Sequence, residues 1–493
     1  MGILNNLINN ILTKFSKSIH NKKIDNTKIN NKQKDIEEEI NILNINFPDE
    51  NFKSYIEGQM AINLKSKDDE NFNGFTYEEK INYLKNLKII CINWQIDDIT
   101  FKNYCEFFKT LPQLDTLGLS QCGVKDFSPL SQLENIQYLD ISNNYLTNID
   151  FLCGLKNLCY LNICNNYIES LLPLKNTKNI THINISNNNI NYIMPILNNR
   201  YLKQLDATNN PLKDTKYIAI LENLEKLILC NTKIKDISFL NNLTNISFLD
   251  ISDNYITKLC TINNKPNLAY LNIKDNYIKD ISNIQNNDNL KELVLCRNII
   301  NNIDYIYTNK NIQLLDISYN NIQNINILSH LSSLNILLAN GNNIKFVKFD
   351  KPLEKMSYLA LNDNLLEDPF SLENLPNLEY ILLKQNKFKN FPNFLLNKQL
   401  KVISLSENNI KFIPNIDYLP QLIKLEIAFN NISDISNIEK LTQLIQLDIS
   451  HNKIYNGDNI KNLTNLIELN IANNNITNFD FLKDLKNLKT LNK

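Results

Sequence analysis

One sequence pattern returns every 22 residues over most of this chain. LTNISFLDISDNYITK (243–258) and LTNLIELNIANNNITN (463–478) lie 220 residues apart and keep apolar residues at the same places. Counting in steps of 22 from Cys122 to Asn474, fifteen of seventeen positions are Asn, and Leu or Ile stands five residues before each. A period held without insertion over about 380 residues indicates stacked copies of one structural unit.

The pattern L-x-x-L-x-L-x-x-N-x-L predicts a short strand followed by a tight turn in each unit. In L-x-L the two apolar side chains point to one side of a strand, and the residue between them points to the other. The turn leaves backbone groups buried under the next coil, and an Asn amide both donates and accepts hydrogen bonds. We therefore expect a ladder of stacked amides, with looser turns at Cys122 and Thr232, whose side chains satisfy fewer groups.

The second half of each unit reads like I-x-D-I-S-x-L-x-x-L, as in 234–243 and 432–441. Asp236 and Asp434, each followed two places later by Ser, are suited to capping a single tight helical turn. A 22-residue unit is too short for a long helix opposite its strand, so we expect 3₁₀ turns there. The predicted fold class is an α/β solenoid, an arc with one short parallel strand per repeat on its concave face.

These units are identified as leucine-rich repeats. The 22-residue unit ending in D-I-S-x-L resembles the internalin-like and phosphatase-1-regulatory-subunit-like class, over about four-fifths of the chain. The resemblance implies that the concave strand face holds a protein partner. Internalins add a secretion signal and a wall-anchoring tail; neither is expected for this protein, so the resemblance favours the intracellular branch. The N-terminal helix is an addition to the phosphatase subunit's pattern.

Four segments are predicted along the chain: an amphipathic helix at 1–24, a polar linker at 25–35, a helical cap with the first long repeat at 36–110, and the solenoid at 111–493, with about 17 full repeats and a partial one. MGILNNLINNILTKFSKSI places its apolar residues on one helical stripe, with Lys14 and Lys17 beside it. Residues 1–19 either dock on neighbouring protein or bind a membrane surface, and the second alternative includes organelle targeting. N-myristoylation of Gly2 is disfavoured because Asn6 stands where the signal requires Ser or Thr.

Within the cap, helices are predicted near 36–43, from 77 to 87 and from 99 to 111. The second begins with a capping box formed by Thr76 and Glu79. The third falls in a 27-residue step between Ile90 and Leu117, whose five extra residues give it room. Together these elements are expected to close the N-terminal end of the core.

Composition favours a protein-binding role over other classes. The net charge is −1 and charged residues make up 21%, so no nucleic-acid partner is expected. Nine Cys are present, and Cys164, Cys230 and Cys296 share one repeat position three coils apart, roughly 14 Å from one another at the strand spacing, so they cannot pair. A cytoplasmic location, possibly with membrane association, is the resulting expectation.

No enzyme chemistry is predicted. Eight Gly provide neither a phosphate-binding loop nor a dinucleotide-binding loop, and the four His are far apart along the repeats. Metal-ligand spacing is absent from the sequence. We therefore expect no catalytic residues, no cofactor and no metal. A partner-independent structural protein is the remaining alternative to a scaffold.

The concave face is predicted from the strand positions that point away from the core. Most of these positions are polar, but one stretch is apolar and is the predicted partner-binding site: Val294, Leu314, Ile336, Leu338, Tyr358, Tyr380, Leu382 and Val402. A contiguous exposed apolar patch usually marks a contact surface. The sequence thus predicts a monomeric interaction scaffold or regulatory adaptor for a protein partner, with a membrane-recruited adaptor or a phosphatase regulatory subunit as alternatives.

The sequence finishes with LKNLKTLNK, the first half of a further coil. The coil beneath would be only partly covered at Leu466, Leu469, Ile471 and Ile476. We expect fraying of the last one or two repeats, with end-to-end dimerisation and a further downstream segment as alternatives.

Overall fold

The computed structural model describes residues 47–64, 76–259, 262–368 and 372–493. The chain forms two compact units, residues 1–83 and 84–493. The amphipathic segment 1–24, the linker and the helix predicted near 36–43 lie outside the described residues. Within the described ranges, no helix is long and apolar enough to cross a membrane.

The first unit contains helix α1 (Glu50–Leu64) and most of helix α2 (Tyr77–Lys85), whose last two residues belong to the second unit. Helix α1 was not predicted. Phe52, Ile56 and Met60 recur at the spacing of one helix face, and all three are fully buried. An ion pair joins the two helices, with Lys80 Nζ 2.6 Å from Glu57 Oε1.

The predicted capping box at the start of α2 is confirmed. The Thr76 backbone N–H donates to Glu79 Oε2 at 2.7 Å, and the Glu79 N–H donates back to the Thr76 hydroxyl oxygen at 3.2 Å. This reciprocal arrangement satisfies two backbone donors that have no partner within the helix.

The second unit is a solenoid around one 19-stranded parallel sheet. Each strand has three residues and pairs in register with the strand of the neighbouring coil. The strands are β1 (Ile89–Cys91), β2 (Thr116–Gly118), β3 (Tyr138–Asp140), β4 (Tyr160–Asn162), β5 (His182–Asn184), β6 (Gln204–Asp206), β7 (Lys226–Ile228), β8 (Phe248–Asp250), β9 (Tyr270–Asn272), β10 (Glu292–Val294), β11 (Leu314–Asp316), β12 (Ile336–Leu338), β13 (Tyr358–Ala360), β14 (Tyr380–Leu382), β15 (Val402–Ser404), β16 (Lys424–Glu426), β17 (Gln446–Asp448), β18 (Glu468–Asn470) and β19 (Thr490–Asn492).

The opposite side of the solenoid carries one α-helix and then short 3₁₀ helices. Helix α3 (Asp98–Phe108) follows β1, and it buries Phe101, Tyr104 and Phe108, which confirms the helix predicted in the long repeat. The 3₁₀ helices are Ser128–Gln132, Asp150–Gly154, Leu172–Asn176, Met194–Ile196, Thr215–Ile220, Ser238–Asn242, Ser282–Ile284, Asp304–Thr308, Asn326–His330, Ser436–Ile438, Asp458–Asn462 and Asp480–Asp484.

The predicted aspartate caps are present at the 3₁₀ turns. Asp236 Oδ1 accepts a hydrogen bond from the Ser238 N–H at 2.9 Å, and Asp434 Oδ1 accepts one from the Ser436 N–H at 2.8 Å. Each carboxylate therefore satisfies a backbone donor at the start of a turn.

The asparagine ladder is also confirmed, and Asn188 shows its geometry. Its Nδ2 donates to the carbonyls of Ile185 at 3.0 Å and Ser186 at 3.1 Å in its own coil, and to that of Ile163 at 2.9 Å in the preceding coil. Its Oδ1 accepts from the Ile168 N–H at 3.0 Å. One buried amide thus satisfies four backbone groups and links two coils.

The residue before the ladder position usually adopts a left-handed conformation, as at Asn143 (φ 56°), Asp275 (φ 49°) and Tyr319 (φ 55°). Asn and Asp tolerate this region better than other residues with a Cβ. Together with the ladder, this requirement gives the high asparagine content of the repeats a structural cause.

The coil beneath the last strand is better covered than expected. Leu466, Leu469 and Ile471 are buried, so the expectation of partial exposure is wrong for these three residues. The reason is that β19 pairs fully with β18, placing Leu491 opposite Leu469. Ile476 is half-buried, as expected.

Candidate interaction surface

The concave face is formed by the first and third residues of each strand, because the middle residue points into the core. In β13 the middle residue, Leu359, is fully buried, whereas Tyr358 is half-buried. The same alternation holds in the neighbouring strands, so a residue's position in its strand decides whether it faces a partner.

Five apolar residues occupy the first position of consecutive strands β11 to β15. Leu314 lies opposite Ile336, which lies opposite Tyr358, followed in register by Tyr380 and Val402. All five are half-buried. The rings of Tyr358 and Tyr380 stack, with centroids 5.6 Å apart and an interplanar angle of 29°. We call these five residues the apolar row.

The remaining predicted site residues occupy the third strand position. Leu338 and Leu382 are half-buried on either side of Ala360, which is itself buried. Val294 is set apart, because Asp316 lies between it and Leu338 in the strand register. The apolar row together with Leu338 and Leu382 is called the apolar patch below.

Charged side chains beside the patch are paired with one another. Three ion pairs lie there: Lys384–Glu407 at 2.9 Å, Lys401–Glu379 at 2.8 Å and Lys424–Glu426 at 2.7 Å. The hydrogen bond from Lys384 to Glu407 raises the pKa of the lysine. The apolar patch is therefore bordered by a partly neutralised polar rim, as is common at protein interfaces.

Elsewhere the third strand position often carries an aspartate. Asp250 Oδ1 accepts from the N–H and hydroxyl of Ser252 at 3.0 and 2.6 Å, and its Oδ2 accepts from Asn272 Nδ2 at 3.0 Å. Burial raises the pKa of the corresponding Asp206. Local hydrogen bonds therefore fix these carboxylates on the concave face.

Sequence reasoning missed an exposed strip of isoleucines. Ile423 and Ile445 are 37% and 36% exposed, and Ile467 is half-buried, at the residue directly before three successive strands. Other repeats place Lys203, Glu225 or similar polar residues there. The signal was present, since L-I-x-L-x-I appears in three consecutive units.

A second row of asparagines was also missed. These side chains lie in the segment that leads into the strand, and each Nδ2 donates to a carbonyl 23 residues earlier, in the preceding coil: Asn157, Asn179, Asn223, Asn245, Asn289, Asn311, Asn377, Asn465 and Asn487. In the sequence this row could have been predicted, because an Asn followed by an apolar residue recurs at the same place in many of the 22-residue units.

In the part of the chain that the structure describes, no three His, Cys, Asp or Glu side chains are placed to hold a metal ion. Cys164, Cys230 and Cys296 are free thiols, and burial raises the pKa of Cys296 to about 12. A thiol with so high a pKa is a poor nucleophile near neutral pH.

Comparison with known proteins agrees with this architecture. The sequence profile described as "Leucine Rich repeats (2 copies)" matches residues 112–154. No curated protein matches the sequence.

Several solved structures have a similar fold at low sequence identity. The Arabidopsis receptor kinase HAESA, in complex with the peptide hormone IDA and the co-receptor SERK1, is 21% identical with a TM-score of 0.62, over 84% of this chain and 75% of that one. The plant peptide hormone receptor RGFR1 in complex with RGF2 is 20% identical with a TM-score of 0.58, and the match covers 82% of this chain and 68% of the receptor chain. The functional domain of InlJ from Listeria monocytogenes is 22% identical with a TM-score of 0.56, and the match covers 75% of this chain and 74% of that domain.

Proposed function

The chain is a leucine-rich repeat protein, and from this premise we propose that it is a non-enzymatic interaction scaffold whose concave face holds a protein partner. The apolar patch carries the proposal, because seven apolar side chains face solvent on five consecutive strands. Contiguous apolar surface of this kind usually marks a contact site. Tyr358 and Tyr380 are the proposed anchors, since tyrosine is enriched at the energetic centres of interfaces.

Proteins of similar fold support a polypeptide partner. HAESA is described with the peptide hormone IDA, and RGFR1 with RGF2. In those proteins the repeat array belongs to a receptor. For this chain we propose only the shared element, a repeat surface that binds a protein or peptide.

Three finer proposals rest on the sequence alone. They are a cytoplasmic location, recruitment to a membrane through residues 1–19, and a role as a phosphatase regulatory subunit. The first derives from the cysteine usage, the second from the amphipathic pattern and the third from the class of repeat.

The proposed surface is tested by charge substitution at its centre. A tagged chain carrying Tyr358→Asp and Tyr380→Asp is compared with the parent in pull-downs. A matched control carries Tyr145→Asp and Tyr167→Asp, since these exposed tyrosines also stack, with ring centroids 6.5 Å apart. They lie just after the ladder position, outside the strand positions of the concave face.

The expected result is that partners recovered with both the parent and the control chain are lost with the patch variant. Far-UV circular dichroism and thermal melting establish that all three chains are folded. A folded patch variant that retains every partner of the parent would show that the site is wrong.

A further inference from the structure

Resting on the proposed function, we infer that the apolar patch accepts a basic amphipathic α-helix that lies along the solenoid axis, across strands β11 to β15. Three properties of the patch lead to this partner: the spacing of the apolar row, the width of the patch and the charge of the surrounding face.

The spacing of the apolar row matches a helix better than an extended peptide. Neighbouring strands are about 4.8 Å apart, so the five residues from Leu314 to Val402 span about 19 Å. Apolar residues on one helix stripe recur every three or four residues, about 5.3 Å apart, so five of them span about 21 Å. Same-side residues of a strand are about 6.7 Å apart and span about 27 Å. Five side chains of a helix therefore stay aligned with the five residues of the apolar row. Five same-side residues of a strand would extend beyond the row by more than the spacing between two neighbouring strands of the sheet.

The width of the patch agrees with this choice. Leu338 and Leu382 follow Ile336 and Tyr380 by two residues along their strands. They therefore lie about 6.7 Å to one side of the apolar row. A helix with its side chains is about 10–12 Å across, so its apolar stripe is wide enough to cover both the apolar row and these two leucines.

The charge of the concave face indicates a basic partner. In strands β2 to β19, the first and third positions hold eight carboxylates and two lysines, an excess of six negative charges, although the whole chain carries only −1. The carboxylates are Asp140, Asp206, Asp250, Glu292, Asp316, Glu426, Asp448 and Glu468. Lys and Arg on the flanks of an apolar stripe complement this face and steer the encounter.

Carboxylates lie at both ends of the apolar row. Glu292 lies opposite Leu314 in the register, and Asp316 follows Leu314 by two residues. Beyond Val402, the next strand carries Lys424, which is paired with Glu426, and the net negative charge comes from Asp448 and Glu468 in the two strands after it. The helix we infer therefore has an apolar stripe about 14 residues long with basic residues at both ends, since a 21 Å stripe corresponds to about 14 residues.

The inference is tested with three fluorescein-labelled synthetic peptides of about 14 residues, the length of a 21 Å helical stripe. The first has leucines at helical spacing and lysines elsewhere. In the second the lysines are replaced by glutamate, and in the third leucine and lysine alternate as on the two faces of a strand. Fluorescence anisotropy measures binding of each peptide to the full chain.

We expect the basic helical peptide to bind at least about tenfold more tightly than either of the others, the ratio that corresponds to one hot-spot contact. The substitutions Tyr358→Ala and Tyr380→Ala should weaken its binding by about tenfold, and Tyr145→Ala with Tyr167→Ala should leave it unchanged. Neutralising the acidic end with Glu292→Gln and Asp316→Asn should reduce both the affinity and its dependence on salt.

Other results overturn the inference. Equal binding of the glutamate peptide removes the charge argument, and tighter binding of the alternating peptide removes the helix. Self-association of the chain, seen by sedimentation velocity and abolished by the tyrosine substitutions, would assign the patch to a second copy. If no peptide binds while the patch variant still loses partners in pull-downs, the scaffold function stands and the helical ligand is wrong.

Discussion

Asn254 Oδ1 accepts a hydrogen bond from the Thr232 N–H of the preceding coil at 3.0 Å, and a second from the Ile234 N–H at 3.1 Å. The Thr232 hydroxyl donates to the Leu229 carbonyl at 2.8 Å, and its oxygen lies 3.3 Å from Asn254 Oδ1. The Thr232 side chain satisfies fewer groups than an asparagine. It is too short to reach the carbonyl of Ala207 one coil earlier, which an asparagine at this place would contact.

Restoring the ladder at this position should stabilise the solenoid. The Thr232→Asn amide gains a donor to the Ala207 carbonyl and an acceptor for the preceding coil, which should raise the free energy of unfolding by about 1 kcal/mol. Urea denaturation measures the change. Thr232→Val, which keeps the shape and removes the hydroxyl, should be less stable than the parent. A decrease in stability for Thr232→Asn would show that the coil geometry there excludes the amide.

The two asparagine rows should differ in their contribution to stability. Asn386 makes four hydrogen bonds, to the carbonyls of Leu361, Leu383 and Lys384 and from the N–H of Leu366, at 3.0–3.2 Å. Asn386→Ala removes all four hydrogen bonds and leaves the buried Leu366 N–H without its partner, which costs about 1–3 kcal/mol, whereas each of the three carbonyls keeps another donor. Adding about 0.5–1.5 kcal/mol for each of the other three bonds, a total loss of about 3 kcal/mol or more is expected.

The matched control comes from the outer row. Asn377 is exposed and donates to the Glu354 carbonyl at 2.8 Å. Asn377→Ala should cost about 0.5–1.5 kcal/mol, the value of an ordinary hydrogen bond. Equal losses in the two variants, measured by urea denaturation, would contradict the assignment of the inner row as the main link between coils.

Much of this architecture follows from the sequence because each coil repeats one solution. The spacing of Leu and Asn fixes the strand, the turn and the ladder, so one correctly interpreted unit predicts the others. Helix α1 was missed although Phe52, Ile56 and Met60 carry a helical period. A single short segment outside the array has no second copy to reinforce its signal.

The candidate site was predictable in its position along the strands but not in its outline. The 22-residue period places Asp316 midway between Val294 and Leu338, and the parallel register agrees, but the burial of Ala360 between Leu338 and Leu382 is seen only in the structure. The isoleucine strip at Ile423 and Ile445 was missed for a related reason. Its residues precede the strand, where the alternation of buried and exposed positions no longer applies.

The buried thiols should make the protein less stable at alkaline pH. Burial raises the pKa of Cys105 and of Cys122 to about 12, from an ordinary value of 9.0. Because the folded pKa lies above the unfolded one, the contribution to stability is fully present below about pH 9 and is lost as pH rises toward 12. Each thiol contributes a slope of at most about 1.4 kcal/mol per pH unit in that window.

Urea denaturation between pH 8 and 11 measures this slope. Cys105→Ala should flatten it, whereas substitution of the exposed Cys153 to Ala should not. Mass spectrometry after treatment of the folded chain with iodoacetamide should show Cys153 modified well before Cys105. Rapid modification of Cys105 at neutral pH would contradict its burial on the inner side of helix α3.

A lysine side chain lies in the interior of the solenoid. Lys265 is buried, and its ammonium group donates to the carbonyls of Leu240 at 2.7 Å and Leu243 at 3.1 Å. Burial lowers the pKa of this lysine. In the next two repeats the equivalent residues are Asn287 and Asn309. The side-chain amide of each donates to the Ile284 carbonyl at 2.9 Å.

The lysine therefore acts as a long substitute for an asparagine. Lys265→Ala removes both donors and leaves a cavity, so a loss of about 2–4 kcal/mol is expected. Lys265→Asn should stay within about 1 kcal/mol of the parent, because a shorter amide donor can reach the Leu240 carbonyl, as Asn309 reaches the carbonyl of Ile284. Urea denaturation ranks the two variants, and hydrogen exchange of the amides from 240 to 290 locates the change. If Lys265→Asn is as unstable as Lys265→Ala, the length of the lysine rather than its donor capacity is what this coil requires.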